Sequence, residues 1–359
     1  MLKRILPALV LLCLCAVPAA ADENDGDCVY RLYSTEGEYL TMRAGRMHED
    51  DEYISGDDRH FRVMKVDDAA CKAYAEYLGM ADEGVAVSGP DGLEAVIAAA
   101  GAAYADGDKG VICMYSTHSD ESYIDGDGES SKLEDAGIYD VGAEFKRELE
   151  KLGYKVVYSQ ETFHPHDAGA YSRSASTAEE LVKKSPEALF DIHRDGIDAD
   201  EYETEVEGED MSMVRLFVGR SNANRDSNMA FAKKIKKVAD EEYPGLIKDI
   251  YMGKGNYNQE LYPQALLLEF GTHEIDKDLV MKSTSYMAEV VDRTLGGGSA
   301  KAADLSENEN KGAGKGIIWV IVIAIAAAVI YAVASTGKLG GTWDKVKRSF
   351  SEMTGGKRK

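Results

Sequence analysis

Between residues 28 and 70 apolar and polar positions alternate: Val29-Tyr30-Arg31-Leu32-Tyr33, Tyr39-Leu40, Tyr53-Ile54 and Phe61-Arg62-Val63-Met64-Lys65-Val66, punctuated by Gly37, Gly45 and Gly56. A period of two suits strands with one buried face, so residues 22–72 are expected to form a small antiparallel β module. Residues 73–109, rich in alanine and glycine, read as a connecting segment. From residue 110 the texture changes. Short apolar runs at 111–115, 154–158, 188–192, 214–218, 247–251 and 265–270 read as strands, and the stretches between several of them carry helical spacing. In the first such stretch Ile138, Val141, Phe145, Leu149 and Leu152 recur every three or four positions until Gly153 stops the helix. Residues 173–184, 224–243 and 276–295 show the same pattern. Strands alternating with helices predict an α/β domain over 110–295, with an open and largely parallel sheet flanked by helices.

The two ends alter this picture. Lys3 and Arg4 precede an apolar stretch from Ile5 to Val17, and Ala19-Ala20-Ala21 precede Asp22, the build of a secretory signal over residues 1–21. The run is short for an uncleaved anchor. Ile317 to Ser335 carries no charge and is long enough to cross a bilayer, so 317–336 is expected to be a C-terminal transmembrane helix. In the tail, residues 337–359, Lys338, Lys345, Lys347, Arg348, Lys357, Arg358 and Lys359 face only Asp344 and Glu352. That bias puts the tail in the cytoplasm and the large domain outside, as a single-pass cell-membrane protein joined to its anchor by a flexible linker over 296–316. The chain's formal net charge is −23; residues 1–21 carry +2 and residues 337–359 carry +5, which leaves −30 on the part between them. Such a surface repels nucleic acid and anionic lipid, and neither is expected as a ligand. Of the cysteines outside the signal, Cys28 and Cys71 can pair in an oxidising compartment and Cys113 reads as a buried core thiol.

The candidate chemistry gathers at strand ends. His118 follows the run 111–115, His193 ends the run Ala188-Leu189-Phe190-Asp191-Ile192, and Glu269 ends Ala265-Leu266-Leu267-Leu268, in a chain with seven histidines. Ligands of open α/β sheets bind beyond the carboxyl ends of the strands. Two histidines and a carboxylate are the protein ligands of many catalytic zinc sites, which keep one position open for water. A second carboxylate must then carry the proton from that water to the leaving group. His118, Glu121 and His193 are assigned as zinc ligands, and Glu269 as the catalytic base and acid.

Several blocks carry a resemblance: His118-Ser119-Asp120-Glu121-Ser122-Tyr123; His166-Asp167 with Tyr171-Ser172-Arg173-Ser174; Asp191-Ile192-His193-Arg194-Asp195; and Gly255-Asn256-Tyr257-Asn258-Gln259 through Leu268-Glu269-Phe270-Gly271-Thr272. Together and in this order they strongly resemble the stage II sporulation protein P family. The resemblance implies the fold and chemistry of zinc N-acetylmuramoyl-L-alanine amidases, which cut the bond between muramic acid and the stem peptide of peptidoglycan. It also implies cleavage of peptide cross-links, action at the septal wall during engulfment of the forespore, and association with stage II sporulation proteins D and M. His118 and His193 carry over as zinc ligands and Glu269 as the catalytic carboxylate. Related amidases take their ligating glutamate from near the following helix, where this chain has Glu134; Glu121 is favoured over it. Arg173 and Arg194 are candidates to hold a peptide carboxylate, with a structural salt bridge equally open to each, and Asn256 is a third substrate-binding candidate. The chain departs from the family at His273-Glu274-Ile275-Asp276, where an asparagine-rich turn is usual, and in carrying its obvious anchor at the C-terminus.

Other motifs weigh less. Asp125-Gly126-Asp127-Gly128-Glu129 lacks the twelfth-position glutamate of a calcium loop, where Ala136 stands, and reads as a solvated loop. His164-Pro165-His166 reads as a loop before a helix rather than a second metal pair. The rival functions are a zinc carboxypeptidase-like wall peptidase, which would need an arginine and asparagine set for a terminal carboxylate where the sequence offers only Arg194, and a non-catalytic wall-binding scaffold.

Overall fold

In the computed structural model, which describes residues 28–81 and 109–296, the chain opens with a hairpin of β1 (Val29–Ser34) and β2 (Tyr39–Ala44). β3 (Glu52–Ile54), β4 (Arg59–Asp67) and β5 (Lys72–Met80) follow, each antiparallel to the next, and β5 returns to lie parallel to β1. The disulfide Cys28–Cys71 fastens the start of β1 to the turn before β5, and Cys113 is a buried free thiol. These strands run past the expected boundary at 72, because Lys72–Met80 is a strand where a connector was expected. Its inward residues are Ala73 and Ala75, too small to stand out as an apolar stripe beside Lys72 and Glu76.

The second part runs β6 (Val111–Tyr115), α1 (Gly137–Lys151), β7 (Lys155–Tyr158), α2 (Ala170–Val182) and β8 (Ala188–Asp195). A hairpin, β9 (Glu203–Val206) with β10 (Glu209–Ser212), precedes β11 (Val214–Gly219), α3 (Arg225–Glu242), β12 (Ile247–Gly253), β13 (Ala265–Thr272) and α4 (Lys277–Leu295). The expected strands and helices of this part are present. The β9–β10 hairpin is not expected, since Glu203, Glu205, Glu207, Glu209 and Asp210 leave it almost no apolar pattern. The expected signal over 1–21, most of the connector (82–108), the linker beyond Gly296, the span 317–336 and the tail 337–359 lie outside the described residues. Among the described residues no helix is long and apolar enough to cross a membrane.

Among the described residues eleven strands form one sheet in the order β2-β1-β5-β4-β3-β12-β11-β13-β8-β6-β7. The N-terminal strands are therefore not a separate module. The three-residue strand β3 pairs with β12 and continues the sheet. β7, β6, β8 and β13 run parallel, while β11 and β12, parallel to each other, are antiparallel to β13. Successive side chains go to opposite faces. Leu266, Leu268 and Phe270 of β13 join the larger core with α1, α3 and α4; Ala265 packs with Leu181 of α2, and Leu267 joins Leu32, Phe61 and Tyr171 under the N-terminal strands. Glu269 thus belongs to the face shared by α2 and the N-terminal strands.

Arg215 of β11 fastens these layers. It is fully buried, bonds both oxygens of Asp249 (2.7 and 3.0 Å), and donates to Asp195 Oδ2 (2.7 Å), Thr41 Oγ1 (2.8 Å) and Met42 O (3.0 Å). Gly271 (φ +69°), the next-to-last residue of β13, sits where a Cβ would lie 2.7 Å from Ser212 Oγ and 2.9 Å from Ile275 and Val280, so only glycine fits this end of the strand.

Candidate metal centre

β6 ends at Tyr115, and the next residues are tied down at once. Thr117 donates its N–H and its hydroxyl to Asp191 on β8, at 2.8 and 2.6 Å. This delivers His118 to the carboxyl edge of the parallel strands. A tight turn follows, with Glu121 N–H donating to His118 O (3.3 Å) and Glu121 O accepting from Ile138 N–H (3.0 Å), so Glu121 folds back beside His118. On β8, Phe190 and Ile192 go to the helical core, which sends Asp191 and His193 to the opposite face. The parallel register places Glu269 of β13 directly beside His193.

His118, Glu121 and His193, each 2–3 % exposed, meet with one potential ligand atom apiece, all within 4.8 Å of one another. Glu121 Oε1 lies 3.4 Å from His118 Nδ1 and 3.3 Å from His193 Nδ1. Ligands about 2.0–2.1 Å from a tetrahedral zinc ion sit roughly 3.4 Å apart, so this mixed nitrogen and oxygen set fits such an ion. Glu134, the alternative ligand, is exposed and outside the cluster. Burial opposes charge on Glu121, but the charge of His193, hydrogen bonds from both histidines and Arg194 outweigh it and hold the carboxyl well below its usual range. For His193 burial acts downward, yet the carboxylates of Asp191 and Glu121 hold its pKa well above the ordinary imidazole value. Two buried carboxylates therefore demand a cation between them, a proton or a metal ion.

The cluster opens on a cavity of about 320 Å³ that also receives Glu269, Arg194 and His166, and whose far wall is Cys28, Val29 and Arg43 to Gly45 of the N-terminal strands. His166 was not expected here. Its ring stacks on His118 (3.8 Å between centroids) and its Nδ1 lies 3.1 Å from Asp120 Oδ1. Partial burial raises the Asp120 pKa, but His166 and the Ser131 hydroxyl prevail and take it to about 2. The sequence left His166 as a loop residue, and it does come from the loop after β7, whose path brings it to His118.

The three substrate-binding candidates separate. Arg194 lines the cavity, but its guanidinium donates to Ser122 O (3.3 Å), Asp195 O (3.3 Å) and Ser130 O (2.8 Å), and its N–H to Glu121 Oε2 (3.0 Å). It holds the Glu121 turn in place. Arg173 is not among the cavity residues; it donates to Phe163 O (2.7 Å), to Pro165 O and to Asp167 Oδ1 (2.6 Å), and so shapes the loop that carries His166. Asn256 is also away from the cavity and donates to Glu260 Oε1 at 3.2 Å.

A family model described as "Stage II sporulation protein P (SpoIIP)" matches residues 45–292. A curated relative, "Stage II sporulation protein P" of Bacillus subtilis (strain 168), is 28% identical over 203 residues, a match covering 51% of this chain and 51% of the relative. The chain thus spans about half the length of the curated relative it matches. Among solved structures, the chain is similar to the N-acetylmuramoyl-L-alanine amidase AmiC2 of Nostoc punctiforme (TM-score 0.33, 15% identity, 52% of this chain and 95% of that one). It is similar to the amidase Ami1 of Mycobacterium smegmatis (TM-score 0.36, 14% identity, 54% and 100%) and to the CwlD amidase of Clostridioides difficile, solved in complex with the GerS lipoprotein (TM-score 0.34, 10% identity, 52% and 98%). Likenesses of this degree assign no activity.

Proposed function

The chain belongs to the stage II sporulation protein P family, and on that premise we propose that it is a peptidoglycan hydrolase of sporulation that cleaves the N-acetylmuramoyl-L-alanine amide bond, and stem-peptide cross-links as well. The observation that carries the reading is the convergence of His118, Glu121 and His193 on the wall of a cavity that Glu269 also enters. His118, Glu121 and His193 are the residues to hold a zinc ion, which when bound supplies an acidified water and polarises the scissile carbonyl. Glu269 takes the proton of the attacking water and hands it to the nitrogen that leaves, without which the C–N bond would expel a poor amide anion. Arg194 keeps Glu121 oriented, and the N-terminal strands close the cavity and limit what enters it.

Terminal-carboxylate recognition has less support. The guanidinium of Arg194, the arginine a carboxypeptidase would use, is engaged by three carbonyls. As proposals for the whole protein, the domain over 110–295 works outside the cell beside its membrane, held by the span 317–336, with stage II sporulation proteins D and M as partners and no nucleic acid. Purified peptidoglycan digested by the full chain, with and without a chelator, decides the bond. Mass spectrometry should find stem peptides freed from muramic acid only when metal is present. Release of terminal amino acids alone, or release that a chelator leaves untouched, would contradict the proposal.

A further inference from the structure

A buried line of polar contacts runs from the loop between β12 and β13 to His193. Asn258 Nδ2 donates to Tyr171 O and to Ser174 Oγ, both at 3.0 Å. Ser174 Oγ lies 2.9 Å from Thr117 Oγ1, which donates to Asp191 Oδ2 at 2.6 Å. Asp191 Oδ1, which also accepts Thr117 N–H, lies 3.0 Å from His193 Nε2, an ion-pair distance at which the ring N–H is off the line of an ideal hydrogen bond. None of the five side chains is more than 4 % exposed.

The carbonyl and the carboxylate set the direction of this line. A carbonyl can only accept, so the contact with Tyr171 O fixes the Asn258 amide with its NH₂ inward. A carboxylate can only accept, so Thr117 gives its hydroxyl proton to Asp191; the Ser174 hydroxyl, which accepts from Asn258, then turns its proton to Thr117 at 2.9 Å in preference to Tyr171 O at 3.3 Å. The four groups come from different places in the chain: the β12–β13 loop, α2, the loop after β6, and β8. The loop is also held in a conformation that side chains rarely adopt, with φ +54° at Tyr257 and +56° at Asn258. Such backbone persists where its surroundings over-determine it.

We propose that Asn258, Ser174, Thr117 and Asp191 form a positioning relay for the metal centre. By setting the donors on Asp191, the relay keeps His193 Nε2 on Asp191 and leaves Nδ1 facing Glu121 Oε1, so the nitrogen offered to an ion is chosen before the ion arrives. The inference rests on the metal-binding reading of the site. Partners beyond the ligands are known to change metal affinity about 10- to 100-fold.

Two variants of the full chain separate positioning from mere filling of the core. Thr117→Val keeps the shape and deletes the hydroxyl; Asn258→Gly deletes the amide while tolerating the positive φ, and sits in a loop where folding is less at risk. Zinc affinity is read by competition with a chromophoric chelator, beside thermal unfolding of the metal-free protein. Thr117→Val should bind zinc about 10- to 100-fold more weakly, Asn258→Gly should weaken it in the same direction, and Thr117→Ser should restore wild-type affinity. If wild type binds zinc and both variants, folded, bind it equally well, the relay is only core solvation and the proposal is overturned. If wild type itself takes up no zinc, the metal reading falls first and the relay with it.

Discussion

Replacing Arg215 by methionine should destabilise the fold by about 3–5 kcal/mol, the usual cost of breaking a buried ion pair by removing one partner. The environment sets that magnitude. Asp249 is 0 % and Asp195 4 % exposed, and the single guanidinium serves both while also bonding Thr41 and Met42 of β2. Methionine fills most of the volume but leaves two carboxylates in a dry interior and cuts the tie between the N-terminal hairpin and β11. Domains are stable by about 5–15 kcal/mol, so the loss is a large fraction of the total. Urea denaturation followed by circular dichroism measures it: with a slope of about 3 kcal/mol per M, the midpoint should fall by about 1–1.7 M. An internal check follows: Arg215→Met with Asp249→Leu should be more stable than Arg215→Met alone. A loss below about 1 kcal/mol, or a double variant less stable than the single, would refute the reasoning.

The remaining predictions concern the site and the join between the two parts. Glu269→Gln should keep its metal and lose about 10²- to 10⁴-fold in turnover on peptidoglycan, measured at equal zinc content. Glu121→Gln should lower zinc occupancy as well as rate, while Glu134→Gln should leave both unchanged; the reverse pattern would move the third ligand to Glu134. Glu52, on the strand that joins the N-terminal part to β12, is partly buried, which raises its pKa, but His60 and Arg62 overcome this and lower it below 4.5. A carboxyl depressed in the folded state stabilises above its unfolded pKa and loses that contribution as pH falls through the folded value. Acid titration of unfolding should therefore show a decline below about pH 4.5 that Glu52→Gln flattens.

Much of the site was legible because apolar runs locate strand ends well. The runs at 111–115, 188–192 and 265–270 placed His118, His193 and Glu269 at one edge before any contact was known, and β8–β13 register pairs His193 with Glu269. The same reading mistook the start of β5 for a connector, since Ala73 and Ala75 bury little area, and it treated the N-terminal strands as a separate module. Nothing local in Glu52-Tyr53-Ile54 says that it will pair with Ile250 to Met252, residues about two hundred positions away. Arg194 and Arg173 were each equally open to a peptide carboxylate or a structural salt bridge. Arg194 donates to three backbone carbonyls, and Arg173 to two carbonyls and the Asp167 carboxylate, partners that depend on how the turns at 119–131 and 163–167 fold back. His166 was read only as a loop residue for the same reason: its stacking on His118 is set by the path of that loop, not by periodicity.

The central claim is that this cluster is a zinc site, and the zinc content of the purified full chain tests it most directly. Elemental analysis of wild type and of a His118→Ala, His193→Ala variant, each checked for folding, should give about one zinc per chain for the first and close to none for the second. Undiminished zinc in the folded double variant, or none in wild type after incubation with the metal, would contradict the account.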